Sequence, residues 1–231
     1  MEKQMKLLIV FWIMYCAVAP SVLRSQDLPR EVKVRHDLMP KSTFLYDEDS
    51  IEYRKRLVAV FGPRLKVRGL SEIAILFQPS FEPETLIALR KEGQRCFVLA
   101  ATAARQVYHV KTDEQVPSTR DRKKEIDPKV AVRVCDAVRA MLMRTHYQYT
   151  DVGHTDGVSY TYIAWAESVG VMIGESSNPM PSTRVRILAN VSDALIAFVD
   201  CEESKQKEAE ASLANALAAM ELALADKELK K

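Results

Sequence analysis

The longest apolar stretch lies at the start of the chain, residues 7–19 (LLIVFWIMYCAVA), behind Lys3 and Lys6. As a helix it would reach about 20 Å, short of the roughly 30 Å of hydrocarbon in a bilayer, so it reads as a secretory signal rather than a span. Cleavage is expected near Ser25, and an uncleaved membrane anchor is the alternative. Either way, contact with a membrane is expected only through this N-terminal signal. Residues 26–50 hold Pro29 and Pro40 and no sustained period, which predicts an extended leader. Periodicity begins near Ser50, which can cap a helix starting at Ile51 with Leu57, Val58 and Phe61 inward, stopped by Gly62-Pro63. Residues 73–77 (IAILF), bounded by Pro79, predict a buried strand. Residues 81–84 (FEPE) place a proline in a first turn and predict a second helix through Leu86, Ile87 and Leu89, ending before Gly93. Residues 96–100 (CFVLA) predict another strand.

Residues 112–129 are polar and mixed in charge around RDRKKE, the composition of a solvated loop. Asp127-Pro128 then supplies a cap followed by a proline. Val130, Val134, Val138, Met141 and Leu142 continue at helical spacing. Residues 158–165 and 169–174 are rich in β-formers and predict an antiparallel hairpin. Ser182 or Thr183 caps a helix through Val185, Leu188, Leu195, Phe198 and Val199, and an alanine-rich helix follows over about residues 203–227. This order lacks regular β-α-β alternation. It predicts an α+β fold, with an antiparallel sheet of about four strands covered by helices and a long alanine-rich C-terminal helix. The expected division is a signal peptide over 1–25, the leader over 26–50, a single α+β domain over 51–202 and the C-terminal helix over 203–231.

Charge narrows the function. The chain has 33 basic and 31 acidic residues. The two become equal in number once Lys3, Lys6, Arg24 and Glu2 leave with the signal. A neutral body argues against nucleic-acid binding, which scales with cationic contacts to phosphate. No glycine array cradles a nucleotide phosphate, and no cofactor is expected. With Cys16 in the signal, Cys96, Cys135 and Cys201 remain, so at most one internal bridge can form, and Cys96 with Cys201 is the pair considered. Cys135 lies beside Val134 and Val138 on the predicted buried side of its helix.

Four groups of residues are candidates for chemistry or binding. His146, Asp151, His154 and Asp156 put imidazoles and carboxylates within eleven positions, types that bind divalent ions. The segment GESSN at 174–178 lacks the glycine a nucleophile elbow needs two residues after its serine. Tyr160 and Tyr162, two apart on a strand, share a face opposite Trp165, and Tyr147 and Tyr149 repeat the spacing. Exposed, they would offer a sugar or peptide surface; buried, they would pack beneath helices. Leu213, Leu217, Met220 and Leu224 form a short coiled-coil-like seam, fit either for docking on the same domain or for self-association through residues 203–231.

The sequence DGVSYTY at 156–162, the hairpin ending near Gly174, the turn with Pro179 and the amphipathic helix to about residue 199 resemble a group of uncharacterised exported bacterial proteins. The resemblance implies export and an α+β domain, and no activity. The expected function is therefore an exported, non-enzymatic binding protein acting on a protein or glycan partner in the periplasm or outside the cell. The alternative is a secreted hydrolase or metal-dependent enzyme using the His146 to His154 loop.

Overall fold

A computed structural model describes residues 38–40, 48–64, 71–111, 114–145, 157–166 and 170–226. The chain order is β1 (Met39–Pro40), α1 (Glu48–Phe61), β2 (Ser71–Pro79), β3 (Thr85–Glu92), β4 (Arg95–Ala103), β5 (Thr119–Ile126), α2 (Pro128–Leu142), β6 (Val158–Ala166), β7 (Gly170–Ser177), α3 (Arg184–Asp200) and α4 (Gln206–Ala225). A short 3-10 turn, Glu203–Lys205, joins the last two helices. The fold is α+β. Six long strands and the two-residue β1 make one antiparallel sheet in the order β1-β7-β6-β2-β3-β4-β5. The expectation of about four strands is corrected by β3 and β5.

β3 was predicted as a helix. Its run Leu86-Ile87-Ala88-Leu89 is buried throughout because the strand lies between β2 and β4 and is covered on both faces. A short, continuously apolar run carries no period that separates strand from helix. Gly93, at φ +64, closes the tight turn from Glu92 to Arg95, a backbone conformation that favours glycine. β5 was predicted as a loop. Its sequence TRDRKKEI has one buried residue, Ile126, because β5 is an edge strand paired with β4 alone among the described strands. Charged side chains on such an edge also discourage pairing with foreign strands.

The sheet separates two apolar clusters. Side chains alternate along each strand, so Ile73, Ile75, Ile87, Leu89, Val98, Tyr160 and Tyr162 enter one face while Ala74, Leu76, Leu86, Ala88 and Ala101 enter the other. The first face holds the main core, beneath α2 and α3. Asp127 accepts from the Lys129 amide at 2.7 Å to cap α2, with Pro128 opening the helix. Thr183 caps α3 through the Arg186 amide at 3.1 Å. After β5, α2 carries the chain across this face to β6, which pairs antiparallel with β2.

α4 packs on α2 and α3. Leu213, Leu217 and Met220 are buried in the main core, and Arg133 reaches Glu221 at 2.7 and 3.0 Å to tie α2 to α4. The seam is thus occupied within its own domain.

Among the described residues, the second face carries one helix, α1, through Leu57, Val60 and Phe61, with Val107 of the loop after β4 beside it. Val58, expected inward, is exposed, because the buried stripe follows positions 57, 60 and 61. Upstream, Leu38 is fully buried in the main core, and Met39–Pro40 pairs with Glu175 and Gly174 of β7. A Cβ at Gly174 would lie 3.0 Å from Leu142 and 3.1 Å from Leu38, so a larger residue there requires these side chains to give by a few tenths of an ångström.

Candidate functional site

Most of the residues expected to carry chemistry do not form the site that the described residues show. His146, Asp151, His154, Asp156, Tyr147 and Tyr149 lie outside the described residues, as do the signal and most of the leader. Among the described residues, no group of three His, Cys, Asp or Glu is placed to hold a metal ion. No described helix is long and apolar enough to cross a membrane.

Tyr160 and Tyr162 share a face as expected, but that face is the covered one. Both rings are buried and stacked, 6.2 Å between centroids. The Tyr160 hydroxyl donates to Asp193 at 3.1 Å, and the Tyr162 hydroxyl pairs with Ser192 at 3.2 Å. The rings therefore anchor α3 to β6 and cannot present a glycan surface, which corrects the exposed-row reading. Burial, and then the Asp193 carboxylate, raises the Tyr160 hydroxyl well above its ordinary pKa. Burial likewise raises Tyr162 and the Asp193 carboxyl; at Asp193 the Tyr160 hydroxyl and Arg186 offset part of the rise.

No disulfide joins Cys96, Cys135 and Cys201. Cys135 is buried in the main core, the place its helical position suggested. Cys96 is buried in the same core on β4, and the Cys201 thiol, just past the end of α3, donates to the Phe198 carbonyl at 3.2 Å. The Lys124 ammonium lies 3.0 Å from that sulfur and donates to the Cys201 carbonyl at 3.1 Å, complementing the negative end of the helix.

A buried carboxylate of a different kind holds the second face together. Glu84, 1 % exposed, accepts from the Val107 amide at 2.7 Å, the Tyr108 amide at 3.2 Å and the Tyr53 hydroxyl at 2.9 Å. Gln78 donates to the same hydroxyl at 3.2 Å, and Thr161 donates to Gln78 at 3.2 Å. This chain of hydrogen bonds fastens α1 and the loop after β4 to the sheet. Burial raises the Tyr53 hydroxyl, the Gln78 bond opposes the rise and Glu84 adds to it.

Beyond the end of α1, no described element covers the second face over Leu99 and Lys123. A groove of about 230 Å³ crosses β3, β4 and β5 there, with Leu86, Ala88, Leu99 and Ala101 as its floor. Arg64, Arg90, Asp121 and Lys123 stand around it. Arg64 grips both Asp121 oxygens at 3.0 Å, and Thr119 donates to Asp121 at 2.6 Å. Partial burial pushes the Asp121 carboxyl up, but these two partners outweigh it and hold the pKa below the usual carboxylate range. The Arg90 guanidinium donates to the Arg64 carbonyl, so the last turn after α1 is tied to β3. Lys123 meets Glu92 at 2.7 and 2.8 Å and sits 4.0 Å from the Phe97 ring centroid. The arrangement leaves half-buried Leu99 and Phe97 beside charged side chains held in place by their own partners.

Sequence reasoning missed this site because its charged members sit in a segment predicted as loop and on a strand predicted as helix. The available signal was the strict length of the charged run between a turn and the Asp127 cap, which has room for one edge strand. Compared with models of protein families, with curated proteins and with solved structures, the chain matches none of them.

Proposed function

We propose that this chain is an exported, non-enzymatic binding protein that engages a protein partner in the cell envelope or outside the cell, using the second face of its sheet. The observation that carries the reading is this face itself, half covered among the described residues. The main-core face is closed by helices, whereas across β3 to β5 the other face presents half-buried Phe97 and Leu99 beside exposed Lys123. Trp165, 53 % exposed, projects from β6 on this same face. Aromatic and cationic side chains around an apolar centre are the composition of protein interfaces. A glycan partner loses its support with the burial of Tyr160 and Tyr162. Export rests on the basic and apolar N-terminal segment.

The test is site-specific photocrosslinking in the producing cell, with a crosslinker at position 99 in one strain and at position 222 on α4 in another. The expected result is one discrete protein adduct from position 99 and none from position 222. Intact mass of the recovered chain should show loss of about 25 residues, the length of an ordinary signal. Equal adducts from both positions, or a chain retained in the cytoplasm, would overturn the proposal. A stoichiometric metal in the purified chain would replace it with the metal-dependent enzyme.

A further inference from the structure

The loops at one end of the sheet form a surface separate from its second face. We propose that this end docks on a lipid bilayer, with Phe81, Tyr108, Val116 and Met180 entering the headgroup region. The contact is additional to the N-terminal segment expected to enter the membrane.

Strand register gathers these residues. Pro79 pairs with Val158, Ser159 with Ser177, and Ala103 with Thr119, so the loops after β2, β4 and β7 all leave the same end of the sheet. Each holds a large apolar side chain in water. Phe81, 80 % exposed, is on the first, Tyr108, 56 % exposed, and Val116 are on the second, and Met180 is on the third. Exposed apolar side chains gathered at one place mark a surface that meets something other than water.

The loops hold these side chains outward. Gln106 donates to the Ser80 carbonyl at 2.7 Å, and the Ser80 amide donates to the Gly157 carbonyl at 2.8 Å. The Val158 amide donates to the Asn178 side chain at 2.8 Å, and the Asn178 amide returns to the Val158 carbonyl at 2.9 Å. Glu84 takes the amides of Val107 and Tyr108, Tyr53 meets the Tyr108 ring edge-on at 5.3 Å, and Thr183 donates to the Met180 carbonyl at 2.7 Å. These backbone groups are satisfied within the protein, so the apolar side chains can approach lipid without stranding them.

The direction of the chain selects a bilayer over another protein. β1 runs antiparallel to β7 with Met39 opposite Glu175 and Pro40 opposite Gly174, so the chain comes into the sheet at Leu38 from the Ser177 end, the end that carries the three loops. The apolar segment 7–19 lies upstream, and residues 20–37 between them can span at most about 60 Å. While that segment is in the membrane, it holds this end of the domain toward the lipid. Charge decides the kind of contact. Arg105 pairs with Glu114 at 2.6 Å, and exposed Glu82 offsets exposed Lys111, so these loops present apolar side chains without a field of one sign. Attraction to lipid then draws on apolar burial, with phenylalanine and tyrosine at the level where aromatic side chains settle in membrane interfaces.

The experiment uses the exported chain recovered from the producing cell and phosphatidylcholine vesicles, read by cosedimentation at about 0.05 M and about 0.5 M salt. The chain is expected to partition onto the vesicles equally at both salt concentrations. Phe81→Ser should weaken partition about tenfold, the loss of one aromatic side chain from the interface. Val132→Ser should leave it unchanged, because exposed Val132 lies near the start of α2, and α2 follows Ile126 at the opposite end of the sheet. A second readout is tryptophan emission. The emission added by Phe81→Trp should be quenched by lipid brominated in its acyl chains, and that added by Val132→Trp should not. Equal effects at positions 81 and 132 overturn the proposal, as does partition that is lost at the higher salt. So does the lack of partition up to about 10 mM lipid, the weakest that several inserted apolar side chains should show. A partner crosslinked at position 99 without partition onto vesicles leaves the second face standing and removes the bilayer contact, and partition without a crosslink does the reverse.

Discussion

The two faces of the sheet are built from the same strands, yet one is a sealed core and the other an interrupted one. On the sealed face, α2, α3 and α4 bring Val134, Val138, Leu188, Leu195 and Leu217 to zero exposure, and the polar groups that enter, Tyr160 and Tyr162, are matched by Asp193 and Ser192. On the interrupted face, among the described residues, a single helix covers part of the sheet. The rest is closed by the Glu84 network at one end and left as a charged groove at the other. The difference teaches that apolar burial and the fixing of polar groups are divided across the sheet. Apolar area removed from water accumulates on one side, and on the other side polar groups are held in place at the cost of complete burial.

The division can be broken most strongly at Leu195. Leu195→Ala, at a fully buried site, should cost about 3 kcal/mol, whereas Leu99→Ala at a half-buried one should cost about 1 kcal/mol or less. Urea unfolding of the two variants checks the pair; equal losses would mean that the second face is as closed as the first.

A smaller effect is expected at Glu84, where alanine removes the acceptor of two backbone amides. Glu84→Ala should cost about 2 kcal/mol and should also expose the loop after β4 to proteolysis at residues 104–111. Loss of stability without that local cleavage would show that the carboxylate does not fasten the loop.

The smallest effect is in pH dependence, and its sign differs between the faces. Asp193 has a raised pKa in the folded state, so its contribution is present below the ordinary carboxylate pKa and is lost as pH rises through the raised value. Asp121 has a lowered pKa, so its contribution is present above the ordinary value and is lost as pH falls through the lowered one. Urea midpoints from about pH 3 to about pH 6 span this range. Asp193→Asn should remove a fall in stability with rising pH, and Asp121→Asn should remove a rise. The Asp121 effect should be the smaller because its pair with Arg64 faces water and is screened. Slopes of the same sign for both variants would contradict the assignment.

Much of the sealed face was legible in the sequence. Asp127-Pro128 and Thr183 announce α2 and α3 by satisfying backbone amides locally. The apolar spacing that follows each cap needs only the helix's own period to be recognised. The hairpin of β6 and β7 was readable because branched and aromatic residues are concentrated there. Little of the candidate site was legible. Arg64 and Asp121 are 57 positions apart, and nothing local in either marks the other. The tyrosine row shows the same limit, since a period of two puts Tyr160 and Tyr162 together without saying whether α3 will cover them.

The sequence by itself determined α2 and α3 with their caps, the alanine-rich helix with its seam and the α+β class, because these depend on interactions within a few residues along the chain; Ser50, read as a cap, lies inside α1. The tertiary structure decided that Leu86-Ile87-Ala88-Leu89 is a strand, since only burial between β2 and β4 gives that run its partners. It also decided that TRDRKKEI is the edge of a sheet and that α4 spends its seam on its own domain. It alone assembled Arg64, Arg90 and Lys123 around one groove, because strand pairing brings together side chains that no local period connects.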